Sequence, residues 1–226
     1  MSDLNEQEQW ELAKRKIREL WIYVIGGIAI GLAGLGGWNW WKEKRELQAE
    51  TASARYEELI GAFERNDSTR GMTLLEDLKN QYAWTPYPAL GSLLAARVHV
   101  EANELDKAAA GLRFVMDNAN DDETKLIGRL RLARVLSAQK KHDEALALLK
   151  VDKVGEFAPL VADTRGDVLL AKGDREGALR EYLAARAVPS EGRVDTELLD
   201  LKIRDLGGTP PASSLGDAVV TTTGES

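Results

Sequence analysis

No cysteine occurs in the chain, which excludes disulfides, thiol catalysis and cysteine-ligated zinc and is compatible with either redox compartment. Histidine is nearly as scarce, with His99 and His142 the two present. The first falls where a helix calls for a packed aromatic and the second in a turn, so neither reads as catalytic. No Gly-Lys-Ser/Thr follows the glycine-rich stretch and no strand precedes it, so a phosphate loop is excluded. Net positive charge is missing too: the formal net charge is −7, which speaks against nucleic acid as a partner. An enzyme is not expected, nor a cofactor or a metal.

Two acidic groupings test that expectation. Asp163 and Asp167 share one helical face, but no histidine or third carboxylate stands near them in sequence, and they read as solvated charge. Asp121-Asp122-Glu123 immediately precedes a helical pattern, where carboxylates accept hydrogen bonds from free amides and meet the helix dipole favourably.

Charge is also absent from Trp21 to Trp41, WIYVIGGIAIGLAGLGGWNWW, a run of 21 residues. At about 1.5 Å per residue such a helix covers roughly 30 Å, the hydrocarbon thickness of a bilayer. Trp21 and Tyr23 at one end and Trp38, Trp40 and Trp41 at the other put amphipathic rings at headgroup level. The apolar core is long and no small-residue cleavage pattern follows, so an uncleaved anchor is expected rather than a signal peptide. Gly27, Gly31 and Gly34 share one face of it, a groove against which another membrane helix can pack.

Basic residues flank this stretch evenly, Lys14, Arg15, Lys16 and Arg18 before it and Lys42, Lys44 and Arg45 after it, so charge bias barely sets its direction. A short N-terminal segment inside and a large domain outside is preferred. The organisation expected is 1–20 as a cytoplasmic segment, 21–41 as a transmembrane helix, 42–206 as a helical repeat domain in the periplasm, and 207–226 as a disordered tail.

Proline is absent between Lys42 and Asn66, where Leu47, Ala52, Tyr56, Leu59, Ile60 and Phe63 fall near helical spacing,. Beyond it the chain repeats. NELDKA (103–108), KKHDEA (140–145) and KGDREGA (172–178) each give a polar turn, acidic residues and an alanine that opens a helix. Those alanines, Ala108, Ala145 and Ala178, lie 37 and 33 residues apart. Twelve residues before each stands another small residue, Ala96, Ala133 or Gly166. Small residues on both sides are what two closely crossing helices select. The unit is a helical hairpin of about 34 residues, stacked to bury a continuous core. A last helix, 193–206, caps the stack and ends at Gly207-Gly208.

This pattern resembles the tetratricopeptide repeat, most closely at 159–190, where Gly166, Leu169, Gly173-Asp174, Ala178, Tyr182, Ala185 and Pro189 match the family's positions. Lys140 stands where the turn glycine is usual. The resemblance implies an all-α fold, an α-solenoid behind a single N-terminal transmembrane helix. It also implies that first helices line a concave groove holding partner segments. In that register the groove is lined by Leu90, Leu93, Arg97, Ile127, Leu130, Arg134, Leu160, Asp163 and Asp167, a mixture suited to an extended or helical segment with apolar anchors and acidic groups.

The whole-chain organisation resembles the YfgM family of bacterial inner-membrane proteins. The residues that carry it are the W-x-W-W ending of the span, ASARY at 52–56, NELDKAAA at 103–110, LRLARV at 130–135 and VADTRGDVLLAKGD at 161–174. The resemblance implies a single-pass subunit ancillary to the SecYEG translocon, its repeat domain meeting a membrane-anchored periplasmic chaperone of the peptidyl-prolyl isomerase type and newly exported polypeptides. It also attaches a link to an envelope stress phosphorelay. The alternative reading is a membrane-tethered scaffold for cell-envelope assembly or stress signalling.

Overall fold

The computed structural model describes residues 10, 21, 38, 40–151, 154–189 and 192–211. The interior of the charge-free stretch, with Gly27, Gly31 and Gly34, lies outside the described residues, as do most of 1–20 and all of 212–226. Among the described residues no helix is long and apolar enough to cross a membrane.

The chain divides into two compact units, Met1–Ser53 and Ala54–Ser226. Helical residues 40–64 (α1) are shared between them. In the first unit Trp38 and Trp41 stand with ring centroids 5.5 Å apart. Arg45 lies 4.3 Å from the Trp41 centroid and Lys44 5.5 Å from that of Trp40. The indole faces attract these cations through their ring quadrupoles.

The second unit is all helix among its described residues. It continues from α1 through α2 (Ser68–Gln81), α3 (Tyr87–Glu101), α4 (Leu105–Asn118), α5 (Asp122–Ala138), α6 (His142–Leu148), a 3-10 turn (Gly155–Phe157), α7 (Ala158–Lys172), α8 (Arg175–Ala187) and α9 (Thr196–Asp205). The helices pair as hairpins, α3 with α4, α5 with α6 and α7 with α8, and α9 packs on the last.

One local device closes each hairpin. Asn66, Asn103, Lys140 and Gly173 all take positive φ, between 58° and 95°. After each of them the next amide reaches back into the last turn of the first helix: Asp67 to the Ala62 carbonyl, Glu104 to His99, Lys141 to Leu136 and Asp174 to Leu169. This left-handed C-cap satisfies carbonyls that the helix end would otherwise orphan. Lys140 therefore makes the turn that glycine makes at 173, although a left-handed residue with a Cβ costs about 1 kcal/mol. The second helix is then started by a side-chain cap where the sequence supplies one. Asp67 accepts from the Arg70 amide and Asp174 from the Gly177 amide, at 3.0 and 2.8 Å.

The alanines marking the repeat, Ala108, Ala145 and Ala178, are fully buried. Between α3 and α4 a small-to-small crossing is seen at Ala96 and Gly111, where a Cβ on Gly111 would stand 3.9 Å from that of Ala96. It is corrected between α7 and α8. There the Tyr182 ring, one turn beyond Ala178, lies against Gly166, and any Cβ at 166 would overlap it. The absent side chain makes room for a ring rather than for a closer backbone. The second hairpin also departs from the expected unit, since α6 is 7 residues long. Leu149, just past its end, is fully buried and keeps the packing that a longer helix would supply.

Candidate functional site

Helices α3, α5 and α7 are the first members of their hairpins, and the nine residues expected on their shared face divide into three groups. Leu93, Arg97 and Arg134 line a cleft of about 400 Å³ between α3 and α5, floored by Leu105 and Leu112 of α4. Leu130 is buried in the core, and Leu90, Ile127 and Leu160 are half-buried against it. These four leucine and isoleucine side chains hold the stack together and do not line the cleft.

Asp163 and Asp167 form the third group, and here the reading as solvated charge is corrected. Asp163 is buried. Lys202, from α9, donates to Oδ1 of Asp163 at 2.8 Å and to Oδ1 of Asp167 at 2.6 Å. The Tyr182 hydroxyl donates to the same Asp167 oxygen at 2.9 Å. Arg134 donates to the Thr164 hydroxyl at 3.1 Å and lies 3.9 Å from the other Asp163 oxygen. The partners are 35 and 39 residues away in sequence, so no search of neighbouring residues finds them.

The ionisation of this cluster follows from its burial. Desolvation raises the Asp163 pKa, helped by the Asp167 charge and opposed by Lys202 and Arg134. Desolvation alone would lower that of Lys202, but its hydrogen bonds to Asp163 and Asp167 outweigh it and the net direction is up. Burial and the Asp167 carboxylate raise the Tyr182 pKa strongly, so the hydroxyl stays a donor. The group is an internal latch between α7, α8 and α9.

The cleft has a different character. Its apolar floor is Leu93, Ala96, Val100, Leu112 and Val135, and its walls bring in Arg97, Arg131 and Arg134 with one carboxylate, Glu101. Arg97 Nε donates to Glu101 at 2.8 Å, both side chains being well exposed. Val100, Arg131, Val135 and Ala138 were not among the expected groove residues. For Arg131 and Val135 the signal was the LRLARV run, whose two arginines are three residues apart and hence share a helical face,.

Elsewhere polar groups serve the fold. Asp121 caps α5, accepting from the Thr124 amide at 2.7 Å, and that bond holds its carboxyl below the usual aspartate range. His99 Nδ1 lies 2.7 Å from Glu104 Oε2 across the α3–α4 turn. His142 Nδ1 lies 3.1 Å from the Ser137 hydroxyl. Among the described residues no group of three or more His, Cys, Asp or Glu is placed to hold a metal ion.

The hairpin stack is that of a tetratricopeptide repeat-like protein, and residues 14–208 match the family model described as tetratricopeptide repeat-like domain. A protein of Escherichia coli (strain K12) named ancillary SecYEG translocon subunit is 34% identical over 205 residues, covering 89% of this chain and 97% of its own length. Proteins of the same name from Aggregatibacter actinomycetemcomitans and Neisseria gonorrhoeae (strain ATCC 700825 / FA 1090) are each 27% identical, over 90% of this chain and 98% of theirs. The chain belongs to the YfgM family, whose members carry that name.

Proposed function

We propose that this chain is a membrane-anchored periplasmic scaffold associated with the SecYEG translocon, recognising partner segments and catalysing nothing. Residues 1–20 lie in the cytoplasm, 21–41 cross the inner membrane once, 42–206 form the periplasmic repeat domain and 207–226 follow as a tail. Gly27, Gly31 and Gly34 face a partner helix in the bilayer. The groove side of the repeats receives a membrane-anchored chaperone of the peptidyl-prolyl isomerase type or an exported polypeptide.

The observation that carries this reading is the cleft between α3 and α5, open and apolar-floored, in a chain whose relatives across nearly their whole length are named translocon subunits. A repeat stack that already buries its own core has no folding need for such a surface, and a docking role gives it one. The exposed tryptophans at 38, 40 and 41, each a ring suited to the headgroup layer, support the anchor,.

Two measurements test it. A reporter active only outside the cytoplasm, fused after Leu206, is expected to be active, and a silent one overturns the periplasmic placement. The tagged full chain, extracted in mild detergent, is expected to retain SecY. Recovery of cell-wall enzymes without any translocon component would instead favour the envelope-assembly reading.

A further inference from the structure

The α3–α5 cleft is electrically out of character with its chain. The protein carries a net charge of −7, yet the cleft gathers three guanidinium groups and one carboxylate. Arg97 spends part of its charge on Glu101, one turn along its own helix. Arg134 is steered toward Thr164 and Asp163. Arg131 has no hydrogen bond or ion pair among the described residues.

Desolvation first, then the neighbouring Arg134 and Arg97 charges, pull the Arg131 pKa below its ordinary value. An anion seated there would offset both effects by its opposite charge. Each guanidinium offers five donors in a planar fork that matches a carboxylate edge. An acidic segment is drawn to this basic hollow in a chain that is net negative,.

We propose that the α3–α5 cleft takes an acidic peptide segment, with a carboxylate side chain seated at Arg131 between Arg97 and Arg134 and an adjacent apolar side chain on Leu93, Ala96 and Val135. This deepens the scaffold reading, on which it rests, by naming the chemistry of the bound segment. The occupant is neither a basic nor a neutral polypeptide. Glu101 is the built-in competitor, holding Arg97 until the guest carboxylate arrives.

The test uses the purified full chain in detergent and a fluorescein-labelled peptide containing leucine and aspartate, beside its counterpart with asparagine at every aspartate. The aspartate peptide is expected to bind at least tenfold tighter, with the preference shrinking as sodium chloride is raised. Arg131→Gln is expected to weaken the aspartate peptide about tenfold and leave the asparagine peptide unchanged. Glu101→Gln is expected to tighten the aspartate peptide, a change that misfolding cannot imitate. Equal binding of the two peptides overturns the acidic preference while leaving the translocon-associated scaffold standing. No binding of either peptide overturns peptide docking in this cleft, and retention of SecY then judges the scaffold separately.

Discussion

The α3–α5 cleft and the α7–α9 latch occupy equivalent faces of successive repeats and treat charge in opposite ways. At the latch two carboxylates meet a cation from the capping helix, Lys202, and a buried tyrosine hydroxyl. At the cleft three arginines share a lining with one carboxylate, Glu101, which pairs with Arg97, and no later helix supplies Arg131 with a carboxylate among the described residues. A charged face in a repeat protein is thus structural where a later element returns over it and available to a partner where none does.

That contrast can be broken from the latch side. Tyr182 is fully buried and covers Gly166, so Tyr182→Ala should cost about 3–5 kcal/mol in urea unfolding of the full chain. A loss below about 1 kcal/mol would mean that α8 is not seated on α7 through this ring. Lys202→Met strands Asp163 without its nearest cation and should cost about 2 kcal/mol near neutral pH. A carboxyl whose folded-state pKa is raised contributes stability below its unfolded pKa and loses it as pH rises through the folded one. For Asp163, already raised by burial, removing the cation raises it further, so the deficit of the variant should shrink as pH falls from neutrality through these raised values and be gone by about pH 4. A deficit that is the same at neutral and acid pH would break the latch.

Two smaller effects sharpen the cleft side. Asp121 caps α5, a wall of the cleft, and Asp121→Ala should cost about 1 kcal/mol at neutral pH. Its carboxyl is held low, so that contribution is present above the unfolded pKa and lost as pH falls through the folded value. Wild type and variant should converge in acid. Arg131→Gln should change stability by no more than about 0.5 kcal/mol, since no hydrogen bond or ion pair among the described residues uses its charge. A cost equal to that of Lys202→Met would erase the distinction drawn between the two faces.

What was legible in the sequence is what neighbouring residues decide. The alanine register, the acidic cap at Asp121 and the stop of the terminal helix just before Gly207 all follow from interactions within a turn or two, although that helix starts at Thr196, three residues later than expected. The latch was not legible, because Asp163 and Lys202 are joined only by the return of α9. The ring of Tyr182 over Gly166 was missed for a related reason: a glycine announces space without saying what fills it. Of the expected groove residues, three of the nine line the cleft. A face assigned by helical period cannot tell a leucine packed between two hairpins from one that opens to solvent.

The hairpin turns carry a kinetic consequence. Each of the four left-handed caps joins residues five apart in sequence, so every hairpin can nucleate from a segment already emerged, without waiting for distant chain. The latch must span 35 and 39 residues and so ripens last. A chain that emerges from its N-terminus can thus close each hairpin locally, and the bond from Lys202 to Asp163 waits until the last helix is made,.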